Sequence, residues 1–258
     1  MRKFTKKQKD LLKSSIVIVI IFILWMILTW GDSSSFVFPG PQKVWSTFLS
    51  MLYSGELLSS VLISLYRVLL GFAISFVLAF VFGVLAGAFP STEPFYRPVF
   101  SFFNHVPPIS LIPLLILWFG IGETSKIIVI VLTGFFPIFI NVESGIKNCD
   151  KKLLELGKSL NMSNLSIFFQ IKLPFAFSHI LAGMQIGLGY CWRAIVAAEM
   201  IAASTGLGHM ILDAKTMSRP DKVLVGIILI GILGLILDFC FNLLIKKLTK
   251  NKEFVSEK

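Results

Sequence analysis

The sequence predicts an all-α membrane protein with six transmembrane helices, and three observations carry that reading. The 258-residue chain is 55% hydrophobic before its 19 glycines are counted, whereas soluble domains reach about 45–50% with glycine included. Only 15% of it is charged, against about 25% in a soluble domain. Mean hydropathy is +0.84, and the apolar residues fall into runs near the roughly 20 that a helix needs to cross a bilayer. These features exclude a disordered chain, a disulfide scaffold and an ordinary soluble enzyme.

Six spans take about 120 residues, which leaves room for loops but not for a second soluble domain. The first run, residues 15–30, follows a basic tail over 1–14. It ends in WMILTW without a small-x-small cleavage site, so it reads as a retained span rather than a signal peptide. The second, residues 61–89, carries Gly83 and Gly87 as a GxxxG pair. Such a pair either lets two helix backbones approach closely or is merely tolerated. Pro90 and Pro94 end that helix. The third run, 100–119, is interrupted by Pro107, Pro108 and Pro113, and the fourth, 127–142, contains Pro137. The fifth, 180–203, holds Gly183, Gly187 and Gly189, small residues where helices or two subunits can pack. The sixth, 223–244, precedes a second basic tail over 246–258. The transmembrane domain is thus expected over 15–245.

Basic residues set the orientation. The formal charge of +10 comes from 24 Lys and Arg against 14 Asp and Glu. Seventeen of the basic residues fall in the two tails and the loops after the second and fourth runs, five in the opposite loops, and Arg67 and Arg193 inside spans. Positive charge collects on the cytoplasmic side, so both termini and the 143–179 loop are expected there, and an even number of spans agrees. The charges are not interleaved with aromatics on a polar domain, which argues against nucleic acid. Cys149, Cys191 and Cys240 have no CxxC spacing and suggest neither a disulfide framework nor zinc. His105 has no second metal ligand near it.

Charged groups at membrane depth are costly and face a cavity or a partner. Arg193 and Glu199 share the fifth span, six residues apart, which places them on faces about 120° from each other. Each therefore needs its own partner. Glu199 either lines a translocation pathway or braces the helix, and Arg193 either attracts an anionic solute or bonds between helices. Asn104 and Pro107, near the cytoplasmic start of the third span, form a gate element or a plain helix start. Arg67 is expected to snorkel to the interface. The outer loops 31–60 and 203–222 are candidates for contact with a delivering protein, the second as a turn followed by a short helix.

The loop 143–179 carries the most specific signal. Leu153, Leu154, Leu156 and Leu160 recur at helical spacing, Asp150 suits an N-cap, and Asn161 suits a left-handed stop. Ser163 then caps a second short helix through Ile171, punctuated by Pro174. The pair forms a compact knob, either docking into a partner or lying on the membrane surface. Glu155-Leu-Gly-Lys-Ser-Leu-Asn161 followed by Ile171-Lys-Leu-Pro174 resembles the EAA loop of ABC importer permeases. Glu155, Ile171, Leu173 and Pro174 match that pattern in place. Gly157 stands where the family has its second Ala, and Asn161 where it has Gly. Further blocks resemble the nitrate/sulfonate/taurine-type subfamily: FPGPQKVW from Phe38, Pro107 followed after five residues by PLLILWFG from Pro113, FFPIFIN from Phe135, GMQIGLGYCW from Gly183, AAEM from Ala197 and GLG from Gly206.

The resemblance implies the type I importer fold, a permease pair, and a coupling segment that docks on a cytoplasmic ATPase through Glu155, Gly157, Lys158, Leu160, Asn161, Ile171, Leu173 and Pro174. It also implies an extracytoplasmic solute-binding protein, residence in the bacterial cytoplasmic membrane, and a small solute: nitrate, a sulfonate, taurine, or a pyrimidine or riboflavin-type compound. No GxxxxGK[ST] loop occurs in the sequence, so no cofactor is expected in this chain, and ATP with Mg is expected on a partner subunit. Two other classes remain. A stand-alone secondary transporter or channel predicts inverted repeats, of which none is clear. A membrane-embedded enzyme predicts a clustered acid/base or metal set, which the scattered Arg193, Glu199 and His105 do not make.

Overall fold

The computed structural model describes residues 6–29 and 37–256. The ends of both basic tails and part of the first outer loop lie outside them. The described chain is helical throughout: α1 (Lys6–Leu28), α2 (Pro41–Tyr53), α3 (Glu56–Ala88), α4 (Glu93–His105), α5 (Ile112–Phe119), α6 (Glu123–Lys147), α7 (Lys151–Ser159), α8 (Asn164–Ile167), α9 (Leu173–Ala202), α10 (Leu207–Thr216) and α11 (Pro220–Ser256). Four stretches are long and apolar enough to cross a membrane: Glu56–Ala88, Glu123–Lys147, Asn164–Ala202 and Pro220–Thr249. Their outward side chains are apolar, with Val77, Leu235 and Phe239 more than half exposed, as lipid contact requires.

Of the other two expected spans, one is bent and one shows only a short described apolar stretch. The third is a pair of helices, Pro90–His105 and Pro108–Phe119, bent by 87° at the break. A residue before proline is driven out of the α region. Val106 and Pro107 each precede one, and both are extended, at ψ 117° and 122°. The first expected span is α1, whose described apolar stretch is Val19–Leu28.

The chain forms two compact units, one of residues 1–58 and 210–229, the other of 59–209 and 230–258. In the smaller, Pro41 opens α2, a position where the missing N–H costs nothing, and Val44, Thr47 and Met51 are buried at helical spacing. Thr47 donates to Asp221 at 2.8 Å, and Arg219 holds the same carboxylate through two N–H groups. Lys222 pairs with Glu56 at 2.9 Å.

In the larger unit α6 lies between α3 and α9. Ser60, Ser64, Arg67, Gly71, Ser75, Ala79, Gly83 and Gly87 form one buried stripe along α3. A Cβ at Gly83 would stand 2.8 Å from Val142 Cβ, and one at Gly87 the same distance from Ile146 Cβ. The GxxxG pair therefore brings α3 against α6. Gly183 and Gly187 do the same for α9, where added Cβ atoms would meet Asn141 at 2.6 Å and Ile138 at 2.7 Å. Ala79, Ile138, Phe139, Val142, Ile146, Ala176 and Ile180 fill the core between these helices.

Candidate functional site

The loop between α6 and α9 is shorter than expected. Residues 143–147 continue α6 and 173–179 begin α9, which leaves 148–172 as the projecting part. Asp150 caps α7 by accepting from the Lys152 N–H at 2.9 Å. Asn161 ends it at φ +55°. The Asn161 N–H bonds to the Lys158 carbonyl and the Met162 N–H to that of Gly157, the paired pattern of a left-handed helix stop. Ser163 then caps α8 through the Ser166 N–H at 3.2 Å.

Gly157 is the buried point of the knob. A Cβ there would stand 2.8 Å from Ile171 Cδ1 and 3.2 Å from Ile167 Cγ1, so α7 rests on the return segment through this residue. Leu153, Leu156 and Leu160 stay exposed at 39%, 57% and 66%. Glu155 and Lys158 are also exposed. Leu154 does not share the stripe of the other three: with Lys158 it lines a different groove.

Pro174 does not punctuate the second helix. The helical path runs unbroken from Asn164 to Ala202, with a π-helical turn over Phe168–Lys172. A proline ring clashes with the carbonyl four residues earlier, here that of Gln170. The wider turn admits Ile171, Leu173 and Pro174 without ending the helix. Cys149, at the foot of the knob, is buried. Burial pushes its thiol pKa up, while the nearby Lys172 ammonium opposes the shift.

The charged residues of the spans separate into unlike environments. Glu199 is wholly buried in α9. Its carboxylate accepts from Arg67 Nη1 at 2.7 Å, from Ser64 Oγ at 2.8 Å and from the Gly208 N–H at 3.0 Å. Arg67 does not snorkel; at 2% exposure it is a core residue. Its remaining N–H groups reach both Glu123 oxygens at 2.6 Å and the Thr205 carbonyl and hydroxyl at 2.8 and 3.0 Å. All five guanidinium donors thus have acceptors. The pairing replaces water that the site excludes, whereas snorkelling would leave Glu199 unpaired. Lys126 joins through Glu123 at 2.7 Å. Two cations and two carboxylates make the cluster formally neutral.

Arg193 is exposed. Its Nε donates to the Gly189 carbonyl at 3.0 Å, and its Cζ lies 4.7 Å from the centre of the Tyr190 ring. It faces an open groove of about 840 Å³ between α9 and α11, where Gln185 and Asp238 bond at 2.9 Å. Asn104 lines a separate cleft with Arg97 and Tyr96, whose hydroxyl donates to Glu143 at 2.7 Å. Pro107 is exposed at the bend and its carbonyl accepts from the Ser110 hydroxyl at 2.7 Å. The four candidate pathway residues therefore occupy different places. Ser64, Glu123 and Thr205 escaped the sequence reading, and Gly208 entered it only within the GLG block, although Ser64 and Arg67 at i,i+3 share a helix face and signal a polar contact.

Residues 79–250 match the model of the family described as binding-protein-dependent transport system inner membrane component. The chain is 36% identical over 250 residues to the Bacillus subtilis permease protein SsuC, named for aliphatic sulfonates transport, covering 96% of this chain and 91% of that one. It is 32% identical over 236 residues to the Escherichia coli taurine transport system permease protein TauC, covering 90% and 86%. Among solved structures, a chain of the inward-facing MetNI methionine ABC transporter superposes with a TM-score of 0.66 at 18% identity, covering 77% of this chain and 97% of that one. That likeness shows the fold.

Proposed function

The chain belongs to the family of binding-protein-dependent transport system inner membrane components and is an ABC importer permease, a multi-pass membrane protein of the type I importer fold, and from that premise we propose what it carries and how it is driven. The cargo is a small organic or inorganic anion of the sulfonate, taurine or nitrate kind. The named relatives support this, and so does Arg193, which makes no ion pair among the described residues and lies in an open groove that it shares with Asp238. ATP and Mg belong to a separate cytoplasmic ATPase. Its docking site is the knob, with Leu153, Leu156 and Leu160 as the exposed apolar stripe and Glu155 as a charged contact. Both termini lie in the cytoplasm, two permease chains form the pore, and a solute-binding protein delivers cargo from outside.

The observation that carries the coupling role is the exposed leucine stripe on a helix held rigid by its caps and by Gly157. Three exposed leucines on nine to ten residues cost solubility unless a partner covers them. The test is a detergent pull-down of the tagged chain from its native membranes, followed by uptake in vesicles. A stoichiometric soluble partner carrying GxxxxGK[ST], and uptake that stops on ATP depletion while the membrane potential is held, support the reading. Uptake that continues under that condition overturns it in favour of a secondary transporter.

A further inference from the structure

We propose that the groove behind the knob is a binding site for one anionic glycerophospholipid of the cytoplasmic leaflet. The groove has a volume of about 590 Å³ and lies within the larger unit. Its apolar wall comes from Leu85 and Phe89 at the end of α3 and from Leu165 and Phe169 of the return segment, all at least half exposed. Its polar rim carries Lys158 and Lys172. Neither lysine has a carboxylate within ion-pair distance among the described residues, unlike Lys147, which pairs with Glu93. One rim therefore presents two uncompensated cations above an apolar wall that continues onto the outward face of a membrane-crossing helix. A phosphodiester on the lysines with acyl chains along Leu85 and Phe89 satisfies both halves, and basic pockets at a membrane edge take such headgroups.

The ATPase leaves this side free. At 100° per residue, Leu154 and Lys158 point roughly 150° away from the stripe of Leu153, Leu156 and Leu160. A lipid here would join the end of α3 to the knob without competing for the coupling face. The inference rests on the cytoplasmic placement of the knob proposed above.

The test uses the full chain, purified in mild detergent and exchanged into nanodiscs of phosphatidylcholine with phosphatidylglycerol, with retained phosphatidylglycerol counted by native mass spectrometry. Lys158→Gln with Lys172→Gln is expected to lower retention roughly tenfold or more, since each lysine contributes about fivefold at a membrane surface. Lys151→Gln with Lys152→Gln, exposed lysines of α7 outside the groove, should leave retention unchanged. Lys158→Arg with Lys172→Arg should restore it, which also shows that the fold survives. Equal retention in the Lys158/Lys172 variant overturns the site, as does equal loss in the Lys151/Lys152 variant. Displacement of the lipid by soluble glycerol phosphate reassigns the rim to a free phosphate. Displacement by the saturating ATPase subunit reassigns the groove to that protein. Labelling of Lys172 by an impermeant amine reagent in sealed right-side-out vesicles would sink the orientation alone and leave the lipid count as a separate result.

Discussion

Arg67 of α3 and Glu199 of α9 meet at 2.7 Å with 2% and 0% of their side chains exposed. This pair ties two apolar helices of the larger unit, and removing either partner leaves a charge where water does not reach. Breaking such a buried pair from one side costs about 3–5 kcal/mol. Arg67→Met should therefore unfold in detergent well below the parent temperature. Glu123→Gln should cost about 1 kcal/mol or less, because the Glu123 side chain is 57% exposed. Thermal unfolding of both variants checks this. The double variant Arg67→Met, Glu199→Met should recover part of the loss, since no charge is then stranded.

Gly206 stands against the same carboxylate. Its φ is +110° and a Cβ would run into the Glu199 side chain. Gly55 has φ +76° with open space around it. Alanine at Gly55 meets only the backbone penalty, about 1–2 kcal/mol. At Gly206 the same substitution must also displace a buried, fully bonded carboxylate. Unfolding temperatures should rank parent, Gly55→Ala, Gly206→Ala in falling order. Equal losses at the two glycines would refute the packing role of Gly206.

How much of this was legible beforehand differs by residue. Asp150, Asn161 and Ser163 act through their own backbone neighbours, so local sequence sufficed to place the caps of the knob. The glycine spacing allowed a close helix approach without deciding it, and did not say which helix would answer. Arg67 was misread because its acceptors come from residues 56 and 132 positions away, and no local pattern encodes that distance. Ser60, Ser64 and Arg67 share one helix face, a period the sequence reading did not use, and nothing local names their partners. Pro174 was read as a stop because a proline ends an α-helix; the π-helical turn beside it is a tertiary solution. The 87° bend follows from two adjacent prolines, yet apolar content alone made one span of it.

Asn161 tests the knob's turn. Glycine at this position should be neutral or slightly stabilising, since it reaches positive φ without cost. Asn161→Val should lose about 1–2 kcal/mol locally, and with it the angle between α7 and α8. Gly157→Ala should be mild, because the obstructing atom is the mobile end of Ile171. Gly157→Leu should push α7 off the return segment. Membrane insertion should stay normal in both damaging variants while ATP-driven uptake falls. Unimpaired uptake by Gly157→Leu would remove the coupling role.

Leu156 separates partner contact from stability. At 57% exposure it supports little of the fold, so Leu156→Ser should shift stability by no more than about 0.5 kcal/mol. If the stripe is the docking face, the same change should weaken ATPase capture by roughly tenfold, a loss of about 1.4 kcal/mol at an interface centre. Quantitative co-purification measures that ratio. A drop in unfolding temperature with unchanged capture would place Leu156 in the fold instead.

Arg193 offers the sharpest test of the cargo. Among the described residues its side chain is held by the Gly189 carbonyl and the Tyr190 ring and makes no ion pair, so the fold does not depend on its charge. Arg193→Gln should leave the unfolding temperature within about 0.5 kcal/mol equivalent of the parent. If the groove carries an anion, the KM for uptake should rise several-fold. Arg193→Lys should recover part of that rise, because a lysine restores the charge but not the planar fork that grips a sulfonate or nitrate on two oxygens. The ratio of the two variants then separates charge attraction from oriented hydrogen bonding. Uptake with an unchanged KM in Arg193→Gln would take Arg193 out of the pathway and leave it as a groove residue stacked on Tyr190.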